Sequence, residues 1–359
     1  MIIINARFLT QPITGVQRYA IEICKRIRLE YSNDELIFVA PHNLLDNELA
    51  KELNVIVVGK RSGHIWEQIE LPLYLKKLKK NNDGPLLLNL CNTAPLLYNN
   101  KIVTIHDVAF EVFPETYSKN FLRVYKFMIP RIIKQSKHVI TVSAFSKNEI
   151  VKYYNTAASK ISVIYNAVSD LFYHSKDKGN VNQPYFTAVS SLNFRKNLPL
   201  VLDAFSLVYK KSPQVSLYII GGFDSKSFSS LNLSKYENHP AIHFTGRITD
   251  EELVMYYSNA LGFLYPSLYE GFGIPPLEAQ KCGTPAILSN ESCLPEIFKD
   301  SVLYCNAYQP EDMALKMQQL LDEPGLMDKL VAAGYKNNED YSWDSSAEKV
   351  KSILDNFNE

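Results

Sequence analysis

Short apolar runs alternate with longer amphipathic segments along the whole chain, and the alternation runs through twice. A continuous apolar run bounded by turn residues suits a strand buried on both faces, and such strands belong to parallel sheets covered by crossover helices. Strands are predicted at 1–4, 36–40, 54–58, 86–90, 102–105, 138–142 and 160–164, with helices at 17–31, 121–136 and 145–153. The second run predicts strands at 185–189, 216–220, 242–244, 261–265 and 285–288, with helices at 198–211, 250–258, 276–281 and 310–322. This pattern gives an α/β chain with a doubly wound parallel sheet in each half. A chain of 359 residues also exceeds what one core usually holds, so two domains are expected. The polar stretch SKDKGNVNQP, 175–184, lacks periodicity and reads as linker. The first domain is placed at 1–170, the linker at 171–184, the second domain at 185–340 and a terminal segment at 341–359.

Composition narrows the class. Apolar residues make up 46% and charged residues 21% of the chain, an ordinary globular balance. No apolar run approaches the roughly 18–20 residues of a membrane span. The opening MIIINARFLT turns polar after Ile4 and reads as a first buried strand, not as a secretion signal. Five cysteines, Cys24, Cys91, Cys282, Cys293 and Cys305, form no CxxC pair. Reduced thiols in a cytoplasmic protein fit them better than disulfides or a zinc site, and neither metal nor cofactor is expected. Net charge is zero, yet residues 1–165 hold 22 Lys and Arg against 14 Asp and Glu, while residues 166–359 hold 16 against 24. The resulting +8 and −8 point the first half toward an anionic partner such as a membrane surface or a phosphorylated substrate, although ordinary surface variation also produces them. No nucleic-acid motif accompanies the charge, so nucleic acid is not expected.

Open α/β sheets bind ligands beyond the carboxyl ends of their strands, and two such domains facing each other create a cleft. The richest strand end is YPSLYEGFGIPPLE, 265–278, where Glu270 and Glu278 flank a loop of glycines and prolines that opens a helix. Free amides and the dipole of that helix would attract an anion, while two carboxylates would grip hydroxyls, a combination suited to a ligand that is part phosphate and part polyol. Arg195 and Lys196 follow the strand near 188–192 and suit a diphosphate, the guanidinium forked and the ammonium a point charge. Gly221-Gly222 and Gly246-Arg247 end two further strands, where glycine permits close backbone approach. In the first half, Gly15 and Arg18 open the first long helix, and His106-Asp107 closes a buried strand. A histidine there can donate a hydrogen bond to a sugar hydroxyl or carbonyl, or serve only structure. Neither GxGxxG nor GxxxxGK[ST] is present, which removes the main support for dinucleotide and P-loop readings.

The order TGVQRY (14–19), HD (106–107), RKN (195–197) and EGFGIPPLE (270–278) resembles family 4 of the retaining glycosyltransferases. The two glutamates match its E-x7-E motif, and the resemblance reaches the Tyr341-Ser342-Trp343 segment. It implies a GT-B fold of two facing Rossmann-like domains, with the last helix crossing back to the first domain. The TGVQRY and RKN spellings are most similar to bacterial mannosyltransferases that build O-antigen chains. By resemblance, Glu278 binds the donor ribose and Glu270 the transferred sugar, with the amides of Gly271, Phe272, Gly273 and Ile274 facing sugar and phosphates. Arg195 and Lys196 hold the diphosphate, Gly15 approaches it, and His106 touches the sugar near the reacting carbon. Arg18 serves the phosphate of donor or acceptor, and Gly246 and Arg247 complete the donor set. Many members carry an arginine where Ser190-Ser191 stands here, and Arg195 is the expected substitute.

The activity implied is metal-independent, retaining transfer of a hexose, first mannose from GDP-mannose, to a lipid-linked saccharide. GDP-fucose or a UDP-sugar remains open as donor. A glycoside hydrolase would use the carboxylate pair across a glycosidic bond but has no use for the Arg-Lys pair. An epimerase and a non-catalytic nucleotide-sugar sensor are the other readings. The segments 71–80 and 121–137 mix bulky apolar residues with cations, as interfacial helices do and as core helices with solvated lysines also do. With lipid-linked acceptors in the family, they lead to the expectation of a peripheral contact with an anionic membrane.

Overall fold

The isoleucines Ile2, Ile3 and Ile4 are fully buried and form the centre of the first sheet. In the computed structural model, which describes residues 1–78, 84–176, 183–190, 193–222 and 233–358 (the backbone alone at Ser234), the chain divides into two units. One comprises 1–166 with 342–359, the other 167–341.

In the first unit, β1 (Ile2–Asn5), β2 (Leu36–Ala40), β3 (Ile56–Val57), β4 (Leu86–Asn89), β5 (Lys101–Thr104), β6 (His138–Thr141) and β7 (Ile161–Val163) form one sheet. Its order is β3-β2-β1-β4-β5-β6-β7, with every pairing parallel. Ile3 sits opposite both Ile37 and Leu87. Strand order reverses between β1 and β4, the switch point of a doubly wound sheet. Helix α1 (Gly15–Glu30) buries Tyr19, Ala20, Ile23, Cys24 and Ile27 along one stripe. Its first turn is closed by Gln17, whose side chain accepts from the Thr14 amide at 3.2 Å. Helices α2 (Leu71–Lys77), α3 (Lys119–Gln135) and α4 (Ala144–Tyr154) complete the crossovers, α4 capped by Ser143, which accepts from the Ser146 amide at 3.0 Å.

The second unit repeats the plan. Strands β8 (Tyr185–Val189), β9 (Ser216–Ile220), β10 (Ile242–Gly246), β11 (Gly262–Tyr265), β12 (Ala286–Ser289) and β13 (Leu303–Cys305) pair in parallel, in the order β10-β9-β8-β11-β12-β13. The switch point lies between β8 and β11. Helices α5 (Leu198–Lys211), α6 (Asp250–Ser258), α7 (Ile274–Lys281), α8 (Pro310–Asp322) and α9 (Leu326–Asn338) flank the sheet. Helix α10 (Trp343–Asn358) returns to the first unit and lies along α1. Trp343 is 3% exposed with its ring edge-on to Tyr19 at 6.0 Å. The Tyr31 hydroxyl donates to Asp355 at 2.6 Å, and the Ser346 hydroxyl donates to the Tyr165 carbonyl at 2.7 Å.

The sheets match the predicted fold class, with local departures. The 54–58 strand shrinks to β3, which is solvent-exposed at an edge and pairs through only two residues. Strand β13 and helix α9 were not predicted. The helix expected at 276–281 begins two residues earlier, at Ile274, because Gly273 supplies a left-handed cap at φ +89°. Lys79, Lys80, Ser191, Leu192 and linker residues 177–182 lie outside the described residues.

Because Trp343 anchors α10 on α1, Trp343→Ala is expected to destabilise the first unit by about 3–5 kcal/mol, the usual range for truncating a buried Trp. Urea unfolding of the intact protein, followed by near-ultraviolet dichroism, measures it.

Candidate active site

In the second unit the loop after β8 and the loop after β11 leave adjacent strands at the switch point, and hydrogen bonds fasten one to the other. The Leu268 amide donates to the Arg195 carbonyl at 2.7 Å. Asn197 adopts the left-handed region at φ +55° and its amide group donates to Pro266 O at 3.2 Å and Ala307 O at 2.7 Å. Asn193 caps the short turn Phe194–Lys196 through the Arg195 amide at 3.0 Å. These bonds fix where the next two side chains stand. The Lys196 ammonium donates to Glu270 Oε1 at 2.7 Å and to the Tyr265 hydroxyl at 2.6 Å. Arg195 Nη1 reaches the Tyr269 carbonyl at 3.4 Å.

The resemblance implies a diphosphate for Lys196 and the transferred sugar for Glu270; in the structure the two side chains also form an ion pair with each other, 20% and 13% exposed. Burial pushes the Glu270 carboxyl up, but Lys196, Ser267 and Arg195 outweigh it and hold it below the ordinary carboxylate range. Its backbone amide donates to Ser292 Oγ at 3.0 Å. Glu270 is therefore an anion beside a cation, a fixed dipole at the sheet edge.

The rest of the loop leads into α7. Gly271, Phe272, Gly273 and Ile274 are buried, and the Phe272 ring packs edge-on to Tyr341 at 5.5 Å. Phe272 thus serves the fold with its side chain and can offer a ligand only its backbone. A Cβ on Gly273 would stand 2.9 Å from Leu294, so both shape and φ require glycine there. Glu278 lies on α7, 8% exposed, and its charge, after burial, helps push the Cys282 thiol up to about 12. Gly221 has φ +150°, and a Cβ there would come within 1.9 Å of the Ser190 carbonyl. Gly222 abuts Arg247, whose Nε is 2.9 Å from the position of a Cβ, while Gly246 has φ +77° and open space around it. Arg247 is exposed.

In the first unit, Gly15 is exposed at the N-terminus of α1 and has no positive φ, so it contributes space and a helix-end amide rather than an unusual conformation. Arg18 follows on the next turn, its amide bonded to the Thr14 carbonyl at 2.9 Å. His106 ends β5, 5% exposed and edge-on to Tyr19 of α1 at 5.0 Å. Its backbone amide donates to Asn92 Oδ1 at 2.8 Å, and its Nε2 lies 2.9 Å from the Leu90 carbonyl. A carbonyl only accepts, so Nε2 carries the hydrogen. Burial, opposed by Leu90 and Asp107, lowers the His106 pKa, so the ring is neutral and Nδ1 is an acceptor. The hydrogen of the ring is therefore given to a carbonyl of the protein itself, the Leu90 carbonyl. Asp107 accepts from the Ala109 amide at 2.9 Å and so caps the next turn.

Sequence reasoning missed a buried ion pair at the ends of β1 and β4. Arg7 Nε donates to Glu67 Oε1 at 3.2 Å, and Asn5 and Thr93 donate to the same oxygen at 3.0 and 3.1 Å. Glu67 sits on a π-helical turn, Trp66–Glu70, which no local pattern announces. Tyr265 and Ser267 were inside the quoted motif, yet they read only as strand end and loop. Among the described residues no cluster of His, Cys, Asp and Glu is arranged to hold a metal ion.

These features match known proteins at three levels. The model described as Glycosyltransferase Family 4 matches residues 13–170, and the one described as Glycosyl transferases group 1 matches residues 172–337. The chain belongs to the family 4 glycosyltransferases. It is 28% identical to the O-antigen chain mannosyltransferase RfbU of Salmonella typhimurium, over 86% of this chain and 87% of that one. It is 24% identical to the O-antigen chain mannosyltransferase B of Escherichia coli, over 93% and 94%. Sucrose-phosphate synthase of Thermosynechococcus elongatus superposes with a TM-score of 0.77 at 17% identity, over 99% and 98% of the two chains, a likeness of fold alone. That fold is GT-B.

The Glu270 carboxyl lies below its ordinary pKa in the folded state, so its ion pair contributes fully above about pH 4.3, the unfolded value, and fades as pH falls toward the folded one. Glu270→Gln is expected to cost about 3 kcal/mol at pH 7 by leaving Lys196 partly buried without its counter-charge. It is also expected to flatten the loss of stability below pH 4.5, where the flattening follows from the same unfolded value of about 4.3. Denaturant titrations at several pH values read both effects.

Proposed function

We propose that this glycosyltransferase moves a hexose, mannose from GDP-mannose in the first instance, onto a growing O-antigen or related saccharide held on a lipid carrier, with retention at the anomeric carbon. The observation that carries this reading is the Lys196–Glu270 pair, set at the switch point beside the glycine turn that opens α7. The names of the O-antigen mannosyltransferase relatives support the sugar and the acceptor class.

Lys196 and Arg195 neutralise the diphosphate, and the helix-end amides of Gly271 to Ile274 add partial positive charge. Glu270 orients the sugar and Glu278 the ribose; Gly246 and Arg247 border the nucleotide. Gly15 and Arg18 act on phosphate, and neutral His106 accepts a hydrogen bond from a sugar hydroxyl through Nδ1. As the C1–O bond to the diphosphate breaks, its electron pair leaves with the phosphate. The acceptor oxygen then bonds C1 from the same face, and its proton passes to a departing phosphate oxygen. Neither glutamate acts as nucleophile. The two side-chain cations stand where other phosphate-transfer sites use a metal ion. GDP-fucose or a UDP-sugar would fit the same residues; release of free nucleoside diphosphate only when acceptor is present separates a transferase from an epimerase.

A thermal-shift panel separates these donors. GDP and GDP-mannose at a hundredfold excess over Kd are expected to raise Tm by about 5 °C or more, with UDP and UDP-sugars much weaker. A preference for UDP would overturn the choice of donor. Lys196→Ala is expected to lower kcat about 100- to 1000-fold, the usual range for losing one charge-stabilising group; near-wild-type turnover would refute the site.

We also place the enzyme at the cytoplasmic face of a membrane. Ile65, Ile69 and Leu73 are exposed apolar residues one helical turn apart, followed by the exposed Lys76 and Lys77. On α3, exposed Val124 and Phe127 stand among Arg123, Lys126, Arg131 and Lys134, with Arg131 over the Phe127 ring at 3.7 Å. No helix among the described residues is long and apolar enough to cross a membrane, so the contact is interfacial. Sedimentation with anionic vesicles is expected at low salt, weakened by Phe127→Asp and by high salt; equal binding to zwitterionic vesicles would count against it.

A further inference from the structure

Glu270 presents its two oxygens unequally. The Lys196 ammonium at 2.7 Å and the Ser267 hydroxyl at 2.5 Å both reach Oε1, while the Tyr265 hydroxyl, which accepts from Lys196, turns its own hydrogen toward the same carboxylate. Ser267 Oγ also lies 3.0 Å from the Arg195 carbonyl, but one hydroxyl hydrogen favours the charged acceptor. Ser267 is itself held, its carbonyl accepting from Ser289 Oγ at 2.5 Å. Lys196 is treated in the same way. Of its three N–H donors, one goes to Glu270 and one to the Tyr265 hydroxyl at 2.6 Å, which leaves the third without a partner among the described residues.

We propose that Tyr265 and Ser267 are positioning residues for the reaction: Tyr265 aims the free N–H of Lys196 at the donor diphosphate, and Ser267 turns Glu270 so that Oε2 faces the transferred sugar. The proposal deepens the glycosyltransferase reading and rests on it for the identity of the ligand. Tyr265 stands at the last position of β11, 3% exposed, with its ring stacked on Phe263 at 5.7 Å. A rigid strand end therefore holds the hydroxyl, and the flexible four-carbon stem of Lys196 gains one fixed direction from it. Lysine alone has no such preference, because its ammonium rotates freely on that stem. The arrangement makes the ion pair a prepared site: the ligand need not break the Lys196–Glu270 bond, since Lys196 keeps one N–H without a partner among the described residues and the Glu270 carboxylate keeps lone pairs beyond those its neighbours use.

A double-mutant cycle decides between positioning and mere packing. Tyr265→Phe keeps the ring and removes only the hydroxyl. It is expected to weaken GDP binding by isothermal titration about 10-fold in the wild-type background and less than about 2-fold when Lys196 is already Ala, the non-additivity of groups that act through one another. Equal losses in both backgrounds would overturn the role of Tyr265. Ser267→Ala is expected to lower kcat about 10-fold with GDP affinity unchanged, and Ser267→Thr, which keeps the hydroxyl, to restore it. A parallel fall in GDP affinity, or no rescue by threonine, would overturn the role of Ser267. Should wild-type protein bind neither GDP nor UDP, the nucleotide-sugar reading fails. The network is then judged by unfolding without ligand, where Tyr265→Phe and Lys196→Ala should be coupled at least about 5-fold in the equilibrium constant, and simple additivity refutes it.

Discussion

A parallel strand cannot turn straight back into its neighbour; the chain must cross over, usually through a helix, and start again at the same end of the sheet. All strand pairs in both sheets are parallel, so every strand discharges its following loop at one edge. At the switch point two neighbouring strands send their crossovers to opposite faces, and their loops part to leave a crevice. The loops after β8 and β11 occupy that crevice in the second unit, and the loops after β1 and β4 occupy it in the first. Backbone pairing, which knows nothing of sugars or phosphates, therefore decides where Lys196 and Glu270 stand in the second unit and where Arg7 stands in the first.

The same pairing explains how much of the fold was readable. Central strands such as Ile2–Asn5 and Leu86–Asn89 are buried on both faces, so their sequences are nearly unbroken apolar runs. Edge strands lose that signature. Leu303–Cys305 is three residues long, with Leu303 and Tyr304 only partly buried, and its neighbourhood gives no alternation to follow. Helix α9 escaped for another reason, because Gly334 interrupts its pattern. That glycine is a packing requirement: a Cβ would meet Gln280 Cγ at 3.0 Å, where α9 lies on α7. Nothing in the composition of 343–358 says which unit the last helix joins, since an amphipathic stripe states that it has a partner and not which one.

At the candidate site, residue types were legible and their relations were not. Glycines, cations and carboxylates at strand ends announce themselves by position. Lys196 and Glu270 are 74 residues apart, and Arg7 and Glu67 are 60 apart, distances at which sequence carries no geometric information. Only folding shows that Lys196 leans on Tyr265, or that His106 has already committed its hydrogen to Leu90. Paired charges of this kind are a poor source of stability, because desolvation offsets much of their attraction. Here their use is directional: each holds the other at a fixed angle to the sheet edge.

The return of α10 to α1 has a bearing on biogenesis. The second unit is one unbroken stretch, 167–341, whereas the first is assembled from 1–166 and 342–359. On the ribosome, which delivers the chain from its N-terminus, the second unit can therefore finish folding first. Until residue 343 is made, Tyr19 lacks the Trp343 ring that covers it, and until residue 355 is made, Tyr31 lacks Asp355. A nascent chain in that interval exposes an apolar stripe on α1, a surface for chaperones to shield until α10 packs on it.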